Sequence, residues 1–169
     1  MSLQTVLAGL RHNRDFMSQV VAWERLPARA RRTAHLSHTL APALADALQK
    51  RQIDAFFTHQ AAAIDNVLEG ANVVVATTTA SGKTLCYNIP VLQTLLGDAT
   101  AQALYLFPTK ALSHDQLAEV SELISMGNLP VTAHSYDGDT PRSRRRQVRQ
   151  AGGILITNPD MLHSGMLPY

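Results

Sequence analysis

The rhythm of apolar and polar positions changes near residue 70. Before it, apolar residues recur at helical spacing. Leu40, Leu44, Ala47 and Leu48 share one face, with His38 or Thr39 at its start and Pro42 in the first turn. A second amphipathic stretch runs from Gln60 to Leu68, and Glu69-Gly70 stops it with glycine in a C-terminal cap role. After it come a short, continuous apolar run at 72–77, the pattern of a strand buried on both faces, and further strand patterns at 103–107, 131–136 and 153–157. Helical patterns fill the intervals at 82–96, 112–124 and 141–150, and another helix starts at 159. Pro90 is expected to kink the first of these helices.

Strictly alternating strands and helices imply right-handed crossovers, hence an α/β fold with a parallel sheet covered by helices. The expected organisation is a helical extension over 1–51 and the α/β domain over 52–169. In open sheets of this kind, functional groups lie beyond the carboxyl ends of the strands. Each of the four runs is followed there by a turn rich in hydroxyl, amide or charged groups, at 78–84, 108–110, 136–140 and 157–160.

Composition narrows the class. Of 169 residues, 46% are hydrophobic and 17% charged, an ordinary globular balance. No apolar run approaches the ~18 residues of a membrane span; the longest candidates are interrupted by Asn88, Pro90 or Gln93. The first nine residues lack a basic segment leading into an apolar stretch, so no secretory signal is expected. Arg11, Arg14, Arg25 and Arg29 lie in an acid-poor stretch that reads as helical rather than as an organellar leader. The single cysteine, Cys86, excludes an internal disulfide and any multi-cysteine zinc site. A cytoplasmic setting is the expectation. Net charge is only +2, but it is unevenly spread: +5 over 1–51, −7 over 52–139 and +4 over 140–169. Such modest basic ends attract a polyanion only weakly in physiological salt.

The candidate chemistry lies first in the turn after the 72–77 run. Thr79-Ala80-Ser81-Gly82-Lys83-Thr84 stands between a strand pattern and a helix pattern. Successive backbone N–H groups and the helix N-terminus surround a phosphate in such loops. Gly82 allows close backbone approach, Lys83 neutralises phosphate oxygens and Thr84 is placed to ligate Mg²⁺, with Leu85 completing the helix start. The strict phosphate-loop pattern has glycine six positions before the lysine, where this chain has Thr77. Gln60 precedes Lys83 by 23 residues, and its amide donates and accepts at once, matching an adenine edge.

These residues resemble the first RecA-like domain of superfamily 2 helicases. Gln60 is similar to the adenine-reading Q motif and 79–84 to motif I. Pro108-Thr109-Lys110-Ala111-Leu112 with Gln116 resembles motif Ia, and residues 157–163, from Thr157 through Asn158, Pro159 and Asp160, resemble motif Ib. The wording at 85–90, 104–112 and Tyr136-Asp137-Gly138-Asp139-Thr140 is similar to the MrfA/YprA-like branch of DEAD/DEAH-box DNA-repair helicases, over roughly 38–169. The resemblance implies a RecA-like, three-layer P-loop domain with an incomplete parallel sheet, using ATP and Mg²⁺ to move on DNA in the 3′-to-5′ direction. It implies that Pro108, Thr109, Lys110, Gln116, Asp137, Gly138, Thr157, Asn158, Pro159 and Asp160 face the nucleic-acid backbone. Hydroxyls and N–H groups at helix starts suit such contacts, which position a strand without reading sequence.

None of the four apolar runs ends in the Asp-Glu pair that holds Mg²⁺ and orients the attacking water in this class. The expectation is therefore a fragment ending before the Walker-B motif, lacking the second RecA-like domain, binding nucleotide and DNA but not unwinding alone. Two rivals stand beside this reading. One is a P-loop kinase or other phosphotransferase, with the arginines of 142–149 as a lid. The other is a non-catalytic RecA-like adaptor. Those arginines are read here first as a solvated helix face, with Asp137 and Asp139 as their expected partners. His114 and His163 are expected to pack or cap, and Trp23 to anchor the N-terminal helices.

Overall fold

The computed structural model describes residues 2–28 and 30–168; Arg29 and the side chains of Arg142 and Arg149 lie outside the described residues. The chain falls into two compact units, Met1–Arg31 and Arg32–Tyr169. The expected helical extension over 1–51 is thus not one body. Its residues 32–51 join the second unit because Leu44, Ala47 and Leu48 are buried in that unit's core.

The first unit holds helices α1 (Leu3–His12) and α2 (Arg14–Ser18). Ser2 Oγ accepts from the Thr5 N–H at 3.2 Å and Asn13 Oδ1 from the Phe16 N–H at 3.0 Å, so both helices start on side-chain caps. Neither buries a residue. The Arg11 guanidinium sits 4.8 Å from the Trp23 ring centre, a cation–π contact.

The second unit opens with a two-residue strand, β1 (Thr33–Ala34), then α3 (Pro42–Lys50), β2 (Phe56–Phe57), which pairs antiparallel with β1, and α4 (Thr58–Leu68). α5 (Lys83–Gly97) follows; Pro90 sits within it, and Thr94 Oγ1 donates to the Pro90 carbonyl at 2.9 Å. Then come β3 (Gln102–Leu106), α6 (Lys110–Gly127), β4 (Ala133–Ser135), α7 (Arg142–Gln150), β5 (Gly153–Thr157) and α8 (Pro159–Met161), which runs into a π-helical turn at Leu162–Met166. Among the described residues no helix is long and apolar enough to cross a membrane.

β3, β5 and β4 form a parallel sheet in that order, with Leu104 opposite Leu155 and His134 opposite the same Leu155. The central strand carries Ile154 and Ile156, both fully buried, as expected of β-branched residues in a sheet interior. At Gly153, φ is +72° and a Cβ would lie 2.3 Å from the Thr132 carbonyl, so the approach to β4 requires glycine. The predicted runs are these strands: 153–157 coincides with β5, 103–107 is shifted by one residue to β3, and 131–136 is shortened by one to two residues at its ends to β4.

The run at 72–77 is not a strand. It crosses the surface unpaired, with Val74 94% exposed. An apolar run becomes a buried strand only where neighbours take its N–H and C=O groups, and none of the described strands does. Leu104 and Leu106, on one face of β3, are likewise about half exposed.

α3 is clamped to the far end of α6. A Cβ on Gly127 would lie 2.7 Å from the Ala43 carbonyl and 3.0 Å from the Ala47 Cβ. Lys50 Nζ donates to the Met126 carbonyl at 2.7 Å, and Arg51 pairs with Glu119 at 2.6 Å and Glu122 at 3.2 Å.

Candidate nucleotide and nucleic-acid site

The loop before α5 is shaped by two left-handed residues, Ala80 (φ +59°) and Gly82 (φ +73°), the second serving as the helix N-cap. Glycine is required at 82 twice over, since a Cβ there would also meet Gln60 Nε2 at 2.5 Å. Lys83 folds back across the loop: its Nζ donates to the carbonyls of Thr78 at 2.7 Å and Thr77 at 3.1 Å. Ser81 Oγ and Thr77 Oγ1 are 2.6 Å apart, so the threonine standing where the strict pattern has glycine closes the loop from its other side. Thr77 and Thr78 are not candidates in the sequence reading; both take Lys83 through main-chain carbonyls, which a residue-type pattern does not record, and Thr77 adds its hydroxyl.

Gln60 is buried at the start of α4 and ties that turn to the loop. Its Oε1 accepts from the Phe57 N–H and its Nε2 donates to the Gly82 carbonyl, both at 2.8 Å. A carboxamide has two donors and two acceptor lone pairs, so one of each remains for a base edge. Next to it His59 Nε2 lies 3.0 Å from the Ser81 carbonyl, and the Phe57 and His59 rings are parallel with centres 5.8 Å apart.

On the inner side of α5, Lys83, Thr84, Tyr87, Phe107, Leu112 and Gln116 line a cavity of about 450 Å³. The Tyr87 hydroxyl donates to Gln116 Oε1, so Gln116 faces α5 and joins the motif I and motif Ia helices. Burial pushes the Tyr87 phenol up, with a hydrogen bond involving Thr84 pulling the other way.

The turns after the three paired strands converge at their carboxyl ends. Pro108, Thr109 and Lys110 are exposed. Thr109 Oγ1 caps α6 by accepting from the Leu112 N–H at 3.2 Å. Lys110 Nζ reaches Asp139 Oδ2 at 3.0 Å, and Gly138 passes beneath the same ammonium group.

Asp137 stands apart from the other candidates in this turn. It is 5% exposed, and its carboxylate accepts from Ser135 Oγ at 2.8 Å, His114 Nε2 at 3.1 Å and the Asp139 N–H at 2.9 Å. Burial alone pushes this carboxyl up, but the bonds from Ser135, His114 and Asp139 outweigh it and hold the group below the usual carboxylate range. Its oxygens are turned inward, so the carboxylate shapes the turn. The pairing differs from the expected one with the arginine helix: Asp139 takes Lys110 and Asp137 takes His114. Ser135 and His114 are the partners that sequence reasoning missed. The Asp137-Gly138-Asp139 spacing suits the self-bonded turn made by the Asp139 N–H, but it carries no signal for Ser135 or His114.

Thr157 is fully buried and its hydroxyl donates to the Tyr136 carbonyl at 2.6 Å, which locks the β4 and β5 turns together. Asn158 caps α8 by accepting from the Met161 N–H at 2.9 Å, with Pro159 at the first helical position. Pro159 and Asp160 are exposed.

A glycine-capped helix carrying Lys and Thr, tied to a glutamine turn and set beside a parallel sheet, defines a P-loop domain of the RecA-like kind. Residues 57–168 match the DEAD/DEAH box helicase family, and the chain belongs to it. Among curated relatives it is 45% identical over 168 residues to the uncharacterized ATP-dependent helicase YprA of Bacillus subtilis. It is 37% identical over 172 residues to the ATP-dependent helicase hrq1 of Schizosaccharomyces pombe. Both alignments cover 99% of this chain, but only 22% and 16% of those proteins. Among solved structures it is similar to the DUF1998 helicase MrfA bound to DNA and AMPPNP, with a TM-score of 0.87 and 45% identity over 99% of this chain and 23% of that one. The chain therefore spans about a fifth of the relatives it matches.

Proposed function

We propose that this chain is the nucleotide-binding part of the first motor domain of an ATP-dependent DNA helicase of the repair type. One observation carries the reading: the glutamine turn and the phosphate loop meet at a single residue, Gly82, through the 2.8 Å bond from Gln60. A base-facing amide and a phosphate-facing helix start are thereby fixed relative to each other, which is the geometry a nucleoside triphosphate needs.

In this reading the N–H groups of Thr79 through Thr84 receive the phosphates, with Leu85 continuing the helix start. Lys83 exchanges the Thr77 and Thr78 carbonyls for phosphate oxygens. Thr84 is the residue that would ligate Mg²⁺, whose charge offsets that of the phosphates. Gln60 offers its remaining donor and acceptor to adenine. The exposed turns at Pro108, Thr109, Lys110, Gly138, Pro159 and Asp160, with Asn158 at a helix start, take the backbone of a DNA strand. Asp137, Thr157 and Gln116 hold those turns in place. The related MrfA structure, bound to DNA and AMPPNP, supports both ligands. No strand here ends in an Asp-Glu pair, so steady ATP hydrolysis and unwinding are assigned to the parent protein with its second RecA-like domain. The setting proposed is cytoplasmic.

The test is thermal melting with Mg²⁺ and AMPPNP. The unmodified chain should melt higher with the nucleotide, and Lys83→Ala should lose that rise while melting normally without it. An equal rise in both proteins, or none in either, would remove the nucleotide assignment.

A further inference from the structure

We infer that α7 is a second phosphate-binding surface, outside the motif turns, on which Arg144 and Arg146 engage a DNA backbone. This rests on the DNA reading above and extends its footprint.

The helix Arg142–Gln150 reads RSRRRQVRQ: five arginines, no lysine and no acid. Arg144 and Arg146 are exposed, and among the described residues neither forms an ion pair. The nearest acids in the chain are already committed, Asp139 to Lys110 and Asp137 to Ser135 and His114. Arginines spaced three and four apart repel along a helix. Cations crowded into its first turns also oppose the helix dipole. Packing returns little, because Val148, half-buried, is the one apolar side chain of the nine. Two exposed guanidinium groups without an ion pair among the described residues, on a helix with a minimal apolar face, make physical sense once a polyanion supplies the counter-charge.

Placement and chemistry specify the polyanion. Arg145 is structural: its Nε donates to the Thr140 carbonyl at 3.1 Å and its guanidinium lies 5.9 Å from the Tyr136 ring centre. That fastens the start of α7 to the 136–140 turn, one of the proposed DNA-backbone turns. Arg144 and Arg146 leave the helix on opposite sides of this anchor, each about 100° of turn from it, so a strand crossing the turn meets one or the other as it passes α7. Guanidinium forks match phosphate oxygens two at a time, whereas an ammonium acts as a point charge. The use of arginine alone fits phosphate better than a merely solvated face. An acidic protein surface is the competing occupant, and the experiment separates it.

The experiment follows the anisotropy of a fluorescein-labelled single-stranded oligonucleotide with the chain between about 50 and 200 mM salt, where phosphate contacts dominate the response. The double variant Arg144→Ala/Arg146→Ala should bind several-fold to about tenfold more weakly at low salt and flatten the log–log salt slope by about 0.7 to 1.4, the share of one or two single-strand contacts. Arg144→Lys/Arg146→Lys should keep the slope and recover part of the affinity. Circular dichroism checks folding, which neither exposed side chain supports. Unchanged affinity and slope in the alanine pair, while the unmodified chain binds and Lys110→Ala weakens it, overturns this inference and assigns α7 to a protein partner or to solvent. Failure of the unmodified chain to bind the oligonucleotide overturns the DNA reading itself, and this inference with it.

Discussion

The phosphate loop and the three turns opposite it reach similar order by different means. The turns at 108–110, 136–140 and 157–160 stand on paired strands, with Ile154 and Ile156 fully buried beneath them. The segment leading into the phosphate loop has no such floor, and Val74 is 94% exposed. The loop is held from within: by Lys83 on the Thr77 and Thr78 carbonyls, by Gln60 on Gly82, and by the left-handed turns at Ala80 and Gly82. The strand-end turns thus inherit their geometry from the core, and the loop before α5 from a few short-range bonds.

Mutations should separate these two kinds of order. The largest loss is expected from Ile156→Ala, about 2–5 kcal/mol, because a buried β-branched side chain leaves a cavity in the central strand. Urea unfolding measures it; a loss below about 1 kcal/mol would mean that the sheet is not the floor of the turns. Asp137→Ala follows, at about 1–3 kcal/mol, since it removes the buried carboxylate that Ser135, His114 and the Asp139 N–H share. Its effect should depend on pH in one direction. The folded carboxyl titrates below its unfolded value of about 3.9, so its contribution is complete above that value and fades as acid protonates the folded group. Melting curves of wild type and Asp137→Ala should therefore converge below about pH 4, and a gap that stays constant into acid would show that the carboxylate charge is not what holds the turn.

Gly82→Ala is expected to cost about 1–2 kcal/mol through its left-handed backbone. Its clash with Gln60 should abolish the melting rise with Mg²⁺ and AMPPNP. Retention of that rise would show that the glutamine–loop contact is dispensable. The smallest effect is expected at Val74→Ala, within about 0.5 kcal/mol. A loss as large as that at Ile156 would mean that the 72–77 segment is packed after all.

This comparison also shows what the sequence could and could not convey. The runs at 103–107, 131–136 and 153–157 were readable because strand-length segments alternate with helical patterns there, and they pair in one sheet, although one face of β3 stays half exposed. The run at 72–77 has the same local character and does not pair, because pairing depends on neighbours that no local pattern encodes. The β1–β2 pair was invisible for the opposite reason, being two residues long on each side. In the site, Gly82, Lys83 and Gln60 were legible from residue type and spacing. The inward turn of Asp137 was not, because two acids two residues apart look equivalent until Ser135 and His114 approach one of them. Thr157 misled similarly: a hydroxyl at a strand end suggests an outward contact, yet it is spent on the Tyr136 carbonyl.

The close seating of Gly127 on α3 has a mechanical consequence. α6 is eighteen residues long, a stiff rod of about 27 Å at 1.5 Å per residue. One tip carries Thr109 and Lys110; the other is wedged between Ala43 and Ala47, with Arg51 bracing the shaft. A strut fixed at one end cannot yield freely at the other, so a push on either tip is felt some three nanometres away, and α3 becomes a handle on the turn at Thr109 and Lys110.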